Sequence, residues 1–174
     1  TTTVSEPWVG GSCTQQDINK IPEPGRLVFD RVIDSETNNA EQLFAQLVNV
    51  GTCGSGSEMG LEAAALALGP ELDSSFIRDD AELSVIFVSD EQDGSPLGVN
   101  SYLNEYRASK PDGGRESMDV SALVVTDRTS CNNQQIQAGA SEGTRYLDIA
   151  DQSGGVIGNI CSDDFASIVT DLSL

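Results

Sequence analysis

The chain contains no histidine. This removes Ser–His and Cys–His nucleophile pairs and any His-ligated zinc or copper. A metal here has to be a hard ion held by oxygen, such as Mg²⁺, Ca²⁺ or Mn²⁺. Basic residues are scarce as well: nine Lys and Arg face 28 Asp and Glu, a formal charge of −19 over 174 residues. Such a chain repels nucleic-acid phosphates and anionic lipid, which excludes both as principal ligands. Two origins of the charge remain: an acidic, salt-adapted surface on a secreted protein, the commoner origin, and divalent-cation binding. Aromatics are sparse, with one Trp, three Tyr and five Phe, so the core has to rest on Val, Ile, Leu and Ala. No apolar run approaches the roughly 18 residues of a membrane span. The sequence opens Thr-Thr-Thr-Val with neither Met nor signal peptide, and it is expected to have been cut from a longer precursor or trimmed.

The four cysteines, Cys13, Cys53, Cys131 and Cys161, stand far apart and form no CxxC pair. A zinc ribbon or thioredoxin motif is therefore not expected. An even, dispersed set fits two disulfides in an oxidising compartment, outside the cytoplasm; four buried thiols are the plainer alternative. Four cysteines allow three pairings, and the spacing does not choose among them.

Residues 1–25 are punctuated by Pro7, Gly10, Gly11, Pro22, Pro24 and Gly25 and read as a long loop. From residue 26 to 174 the pattern alternates strands and helices with no further boundary. RLVFDRVI (26–33) is a predicted strand, 34–39 a turn, and 40–48 a helix with Ala40, Phe44 and Leu47 on one face. SEMGLEAAALAL (57–68) is the clearest helix, with Ser57 as its expected N-cap and Gly69-Pro70 as its stop. LSVIFV (83–88) and VSALVV (120–125) are nearly continuous apolar runs, as expected of strands buried on both faces of a parallel sheet. Helices are predicted over 97–108 and 145–152, the latter capped by Thr144 and closed by Gly154-Gly155. A short strand (156–160) and a terminal helix opened by Ser162 complete the chain. The alternation predicts an open, mostly parallel α/β sheet.

Ligands of such sheets bind outside the carboxyl ends of the strands. Two loops there are unusual. GTCGSGS (51–57) lacks the Lys of a phosphate-binding GxxxxGK[ST], and its plain reading is an entry to the following helix. SDEQD (89–93) has three acids in four residues. It is either a solvated acidic turn or an oxygen-rich cation site, and it lacks the remainder of an EF-hand loop.

GTCGSGSEMGLEAAALAL, SVIFVSDEQDGSP, VSALVVTD and RYLDIADQSGGVIGNIC with SDDFASIVTDL, in that order from about residue 25 onward, resemble bacterial secreted von Willebrand factor A (vWA) domains. The resemblance implies a Rossmann-like, doubly wound, mostly parallel sheet with a metal-ion-dependent adhesion site on top. The family builds that site from a DxSxS motif after the first strand, a Thr in a later loop and an Asp ending the fourth strand. Thr52 matches the Thr and Asp90 the Asp. The metal would be Mg²⁺ or Ca²⁺, completed by a partner's carboxylate. In that parallel arrangement the strand ends carrying Cys131 and Cys161 are neighbours, so the implied disulfides are Cys131–Cys161 and Cys13–Cys53.

The chain departs from the family in one major respect: DxSxS does not occur, and Asp34-Ser35-Glu36-Thr37-Asn38 has the wrong residues at both Ser places. The chain thus resembles the carboxy-terminal two-thirds of a vWA domain, incomplete on its N-terminal side. A sheet lacking its central strand exposes ladder groups and apolar surface. A second polypeptide, including the N-terminal piece of the same precursor, is therefore the expected partner. The implied function is a secreted, periplasmic or cell-surface protein-binding module and not an enzyme. The alternative is a structural subunit of an envelope assembly with a vestigial metal site. Paired carboxylates (Asp90 with Asp93, or Asp127) would also suit a hydrolase, but in so acidic a chain some acids are neighbours by chance.

Overall fold

A computed structural model describes residues 33–48, 57–69, 77–110, 117–162, 167, 168 and 170. The chain divides into two units, Thr1–Gly56 and Ser57–Leu174.

In the first unit the described part is a turn leading into helix α1 (Ala40–Val48). Asp34 organises the turn. Its Oδ1 accepts from the Glu36 N–H (3.0 Å) and the Thr37 hydroxyl (2.7 Å), which holds its carboxyl below the usual carboxylate range. Phe44, expected on one helical face with Ala40 and Leu47, is 59% exposed. The predicted strand over 26–33 lies outside the described residues except for Ile33, which is not in a strand.

The second unit runs α2 (Gly60–Ala67), β1 (Leu83–Ser89), α3 (Val99–Ala108), β2 (Met118–Val124), a 3₁₀ turn (Arg128–Ser130), α4 (Asn133–Ala138), α5 (Thr144–Ser153) and β3 (Ile157–Asn159). The three strands form one all-parallel open sheet in the order β1-β2-β3. The register runs from Leu83 opposite Met118 to Ser89 opposite Val124, and from Ala122 opposite Ile157 to Val124 opposite Asn159. Mixed α/β architecture with a parallel sheet is what the alternating pattern predicts.

One sheet face is packed. Side chains paired across a parallel ladder point the same way, so Leu83, Val85 and Phe87 share a face with Met118, Val120, Ala122 and Val124. Three helices bring their apolar stripes to the cluster on this face. Leu61 comes from α2; Val99, Tyr102, Leu103 and Tyr106 come from α3; Tyr146, Ile149 and Ala150 come from α5. The α3 residues recur at the spacing of one helical face. Each large side chain buried here stabilises the fold by about 1.5–3 kcal/mol. All three tyrosines of the chain belong to this cluster, and the Phe87 and Tyr146 rings lie 5.0 Å apart, tilted by 37°. Burial pushes the Tyr146 hydroxyl up to about 12 and raises those of Tyr106 and Tyr102.

The second face differs from strand to strand. On β2 it is closed: Ser121 and Leu123 are buried, and Ile168 lies over Leu123 and Gly158. On β1 it is open: Ser84 is exposed, Ile86 is 47% exposed and Val88 63%. The expectation that both central runs are buried on both faces thus holds for β2 and fails for β1. Among the described residues β1 has no neighbour beyond β2, and only an inner strand has side chains of other strands on both flanks.

The stretch leading into β1 is anchored by Lys110, which is buried and donates from Nζ to the carbonyls of Arg78 (2.5 Å) and Ala81 (2.6 Å). At the end of α5, Gly154 adopts the left-handed conformation (φ 81°) and its N–H returns to the Ala150 carbonyl (3.0 Å), the predicted glycine stop. Among the described residues no helix is long and apolar enough to cross a membrane.

Candidate functional site

The carboxyl ends of the three strands share one rim, and the segment after β1 dominates it. Asp90, the residue matched to the adhesion-site Asp, follows β1 directly and is exposed. Its backbone carbonyl accepts from the Ser141 N–H (2.9 Å), and the Gln92 N–H donates to the Ser141 hydroxyl (3.1 Å). The segment after β1 is thereby sewn to the one preceding α5.

Asp93 has a different role from Asp90, although the sequence places both in one acidic burst. Its side chain is fully buried and takes four donors. The Leu61 N–H (3.1 Å) and the Ser95 hydroxyl (2.7 Å) reach Oδ1; the Ser95 N–H (3.1 Å) and Arg145 Nε (2.9 Å) reach Oδ2. Arg145 also donates from Nη2 to the Leu97 carbonyl (2.5 Å). A buried carboxylate persists only when paired and hydrogen-bonded, and here it joins β1, α2 and α5. Asp93 is therefore occupied as a structural acceptor, which argues against its use with Asp90 as an acid/base pair or as a free metal ligand.

The same network corrects two expected caps. Neither Ser57 nor any other local side chain caps α2. Its first N–H groups go instead to the Tyr146 hydroxyl (from Gly60, 3.2 Å), Asp93 and the Ser95 hydroxyl (from Glu62, 2.9 Å). Gly60 is needed there, because a Cβ would run into the Tyr146 ring. Likewise Thr144 is the first residue of α5 and not its cap; its hydroxyl accepts from the Gln92 amide, and Gln92 Oε1 accepts the N–H of Arg145 (3.2 Å). Both helix starts find acceptors in the loop after β1, and α2 finds one more in Tyr146 of α5, tertiary partners that local spacing cannot reveal.

The exposed part of the rim is acidic. Burial first, then the charges of Glu91 and Asp90, raise the Glu58 carboxyl above its ordinary value. Asp127, after β2, accepts the Thr129 N–H and hydroxyl (both 2.8 Å), which lower its carboxyl, and it caps the 3₁₀ turn.

Cys131 and Cys161 form a disulfide with 4.8 Å between Cα atoms, the pair expected for neighbouring parallel strand ends. It sits in a second small core with Val125, Ala140, Ile136 and Ile160. The covering helix α4 was not predicted, although its signal is local: Asn132 and Gln135 form a reciprocal capping box, the N-x-x-Q pattern of a helix start.

Thr52, Cys13 and Cys53 lie outside the described residues. Among the described residues no group of three or more Asp, Glu or Cys could hold a metal ion. Asp90 is the one adhesion-site match among them, and a cation there needs further donors. Compared with protein-family models, with curated proteins and with solved structures, the chain has no match.

Proposed function

We propose that the chain is a vWA-like, extracytoplasmic protein-binding module that engages its partner at the rim carrying Asp90. The observation that carries this reading is the division of labour after β1. Asp93, Gln92 and Ser95 are consumed in holding the loop, while Asp90 is left exposed at a strand end, the place where open α/β sheets bind ligands. The Cys131–Cys161 bond supports residence in an oxidising compartment. In this reading Asp90 offers a carboxylate to Mg²⁺ or Ca²⁺, and the partner or the N-terminal piece of the precursor supplies the other donors. The ion would bridge the two surfaces; the chain's own contribution is to keep Asp90 exposed and fixed in place. It acts by binding and not as an enzyme.

The second reading, a structural subunit of an extracellular or envelope assembly with a vestigial metal site, is favoured by the lack of a ready-made ligand cluster among the described residues. One experiment separates them. A ligand of the native state held at about a hundred times its Kd stabilises by about 2.7 kcal/mol. Adding Mg²⁺ or Ca²⁺ should raise Tm in the wild type and leave Asp90→Asn unmoved. An identical response in both proteins, or none in either, leaves the vestigial reading.

A further inference from the structure

Among the described residues β1 pairs with β2 alone, so its outer side is an edge of the described sheet. Its seven residues, LSVIFVS, include no charge and no proline. Natural edge strands are usually blunted by an inward charge, a proline or a bulge, because an unblunted one templates pairing with another chain. Ile86 and Val88 point away from the packed face and remain 47% and 63% exposed. Ser84, on the same row, donates to Asp119 on β2 (3.1 Å), so the polar end of the row is satisfied while its apolar end is open.

The charges around this strand select the occupant. Asp79, Asp80 and Glu82 precede it and Asp90 and Glu91 follow it; between residues 77 and 91 the one base is Arg78. Asp79, Asp80, Glu82 and Asp90 are all exposed. A second copy of the chain is a poor fit. Paired antiparallel, the Glu82 end of one β1 meets the Asp90 end of the other; paired parallel, like ends meet. Both arrangements set acids beside acids, between two chains of charge −19, and like charges directly opposed across a ladder are destabilising. We propose that β1 accepts, by strand addition, an extended segment of another protein in which apolar residues alternate and lysines or arginines flank both ends. Main-chain hydrogen bonds would supply affinity, contacts with Ile86 and Val88 would set the register, and the acidic flanks would steer and select.

The test uses the full chain and a labelled synthetic peptide as long as β1, valine alternating with threonine between lysine pairs. Fluorescence anisotropy should report saturable binding that weakens as salt rises, and amide exchange should slow over residues 83–89. Ile86→Thr with Val88→Thr keeps strand-forming residues at exposed positions, so Tm should hold while affinity falls roughly tenfold or more. Leu66→Thr, an equally exposed apolar position on α2, should leave binding unchanged. No binding by the wild type overturns the proposal. So does equal affinity for a peptide with glutamates in place of the lysines, or an unaltered affinity in the double variant. A dimer of the chain itself that the double variant dissolves also overturns it, in favour of self-association. No divalent ion is needed, so this result stands apart from the Asp90 test.

Discussion

β1 and β2 are the same length, each carries five apolar side chains, and they pair with each other in full register. Their fates differ. Every residue of β2 except Asp119 is buried, whereas on β1 only Phe87 is. Composition and periodicity describe the two strands almost equally well, so the difference comes from lateral position. β2 has strands on both flanks and cover on both faces; β1 has one described neighbour and one covered face. What holds β1 is the packed row of Leu83, Val85 and Phe87 together with the polar network at its carboxyl end, in place of burial on both sides.

The largest effect on this contrast belongs to the network. Asp93→Ala removes the acceptor of Arg145 Nε and of the Leu61 N–H at the start of α2, and breaking a buried pair by removing one partner costs about 3–5 kcal/mol. Urea unfolding of the variant measures this, and a cost below about 1 kcal/mol would mean that β1 does not depend on it. Next comes the disulfide, which ties the end of β2 to the end of β3. Replacing Cys131 and Cys161 by serine should cost about 3–4 kcal/mol for a separation of 30 residues, read from Tm under oxidising conditions. A direct comparison of the strands follows. Val124→Ala on buried β2 should cost about 2 kcal/mol, against less than about 0.5 for Val88→Ala on exposed β1. Equal costs would show that the outer face of β1 is covered in solution.

The smallest effect concerns the acidic rim. The Glu58 carboxyl is raised in the fold, so its protonated form favours the native state; that contribution is fully present below the unfolded value and is lost as pH rises through the folded one. Glu58→Gln should therefore raise stability at neutral pH by a few tenths of a kcal/mol after solvent screening, and the gain should disappear in acid. A pH-independent difference would assign the effect to something other than charge.

Much of the fold was legible in the sequence. The apolar runs at 83–88 and 120–125 mark two strands, the spacing of Val99, Tyr102, Leu103 and Tyr106 marks a helical face, and Gly154 marks a helix end. These are local signals of period and backbone freedom. The candidate site was legible only in part. Asp90 and Asp93 look alike in an acidic burst, yet one is exposed and the other is sealed beneath Arg145, which lies far along the chain. The caps assigned to Ser57 and Thr144 failed for the same reason, since partners brought by folding displaced the nearest hydroxyl.

The sequence by itself determined the alternation of parallel strands and helices, the acidity of the surface and the impossibility of histidine chemistry, because each depends on residue identity or on short-range spacing. Only the tertiary structure decided which acid is spent on the fold, which helix starts are capped from a distance and which of two similar strands faces solvent. Those outcomes depend on which groups meet across the sheet, and desolvation and hydrogen bonding act on groups that meet in space and not along the chain.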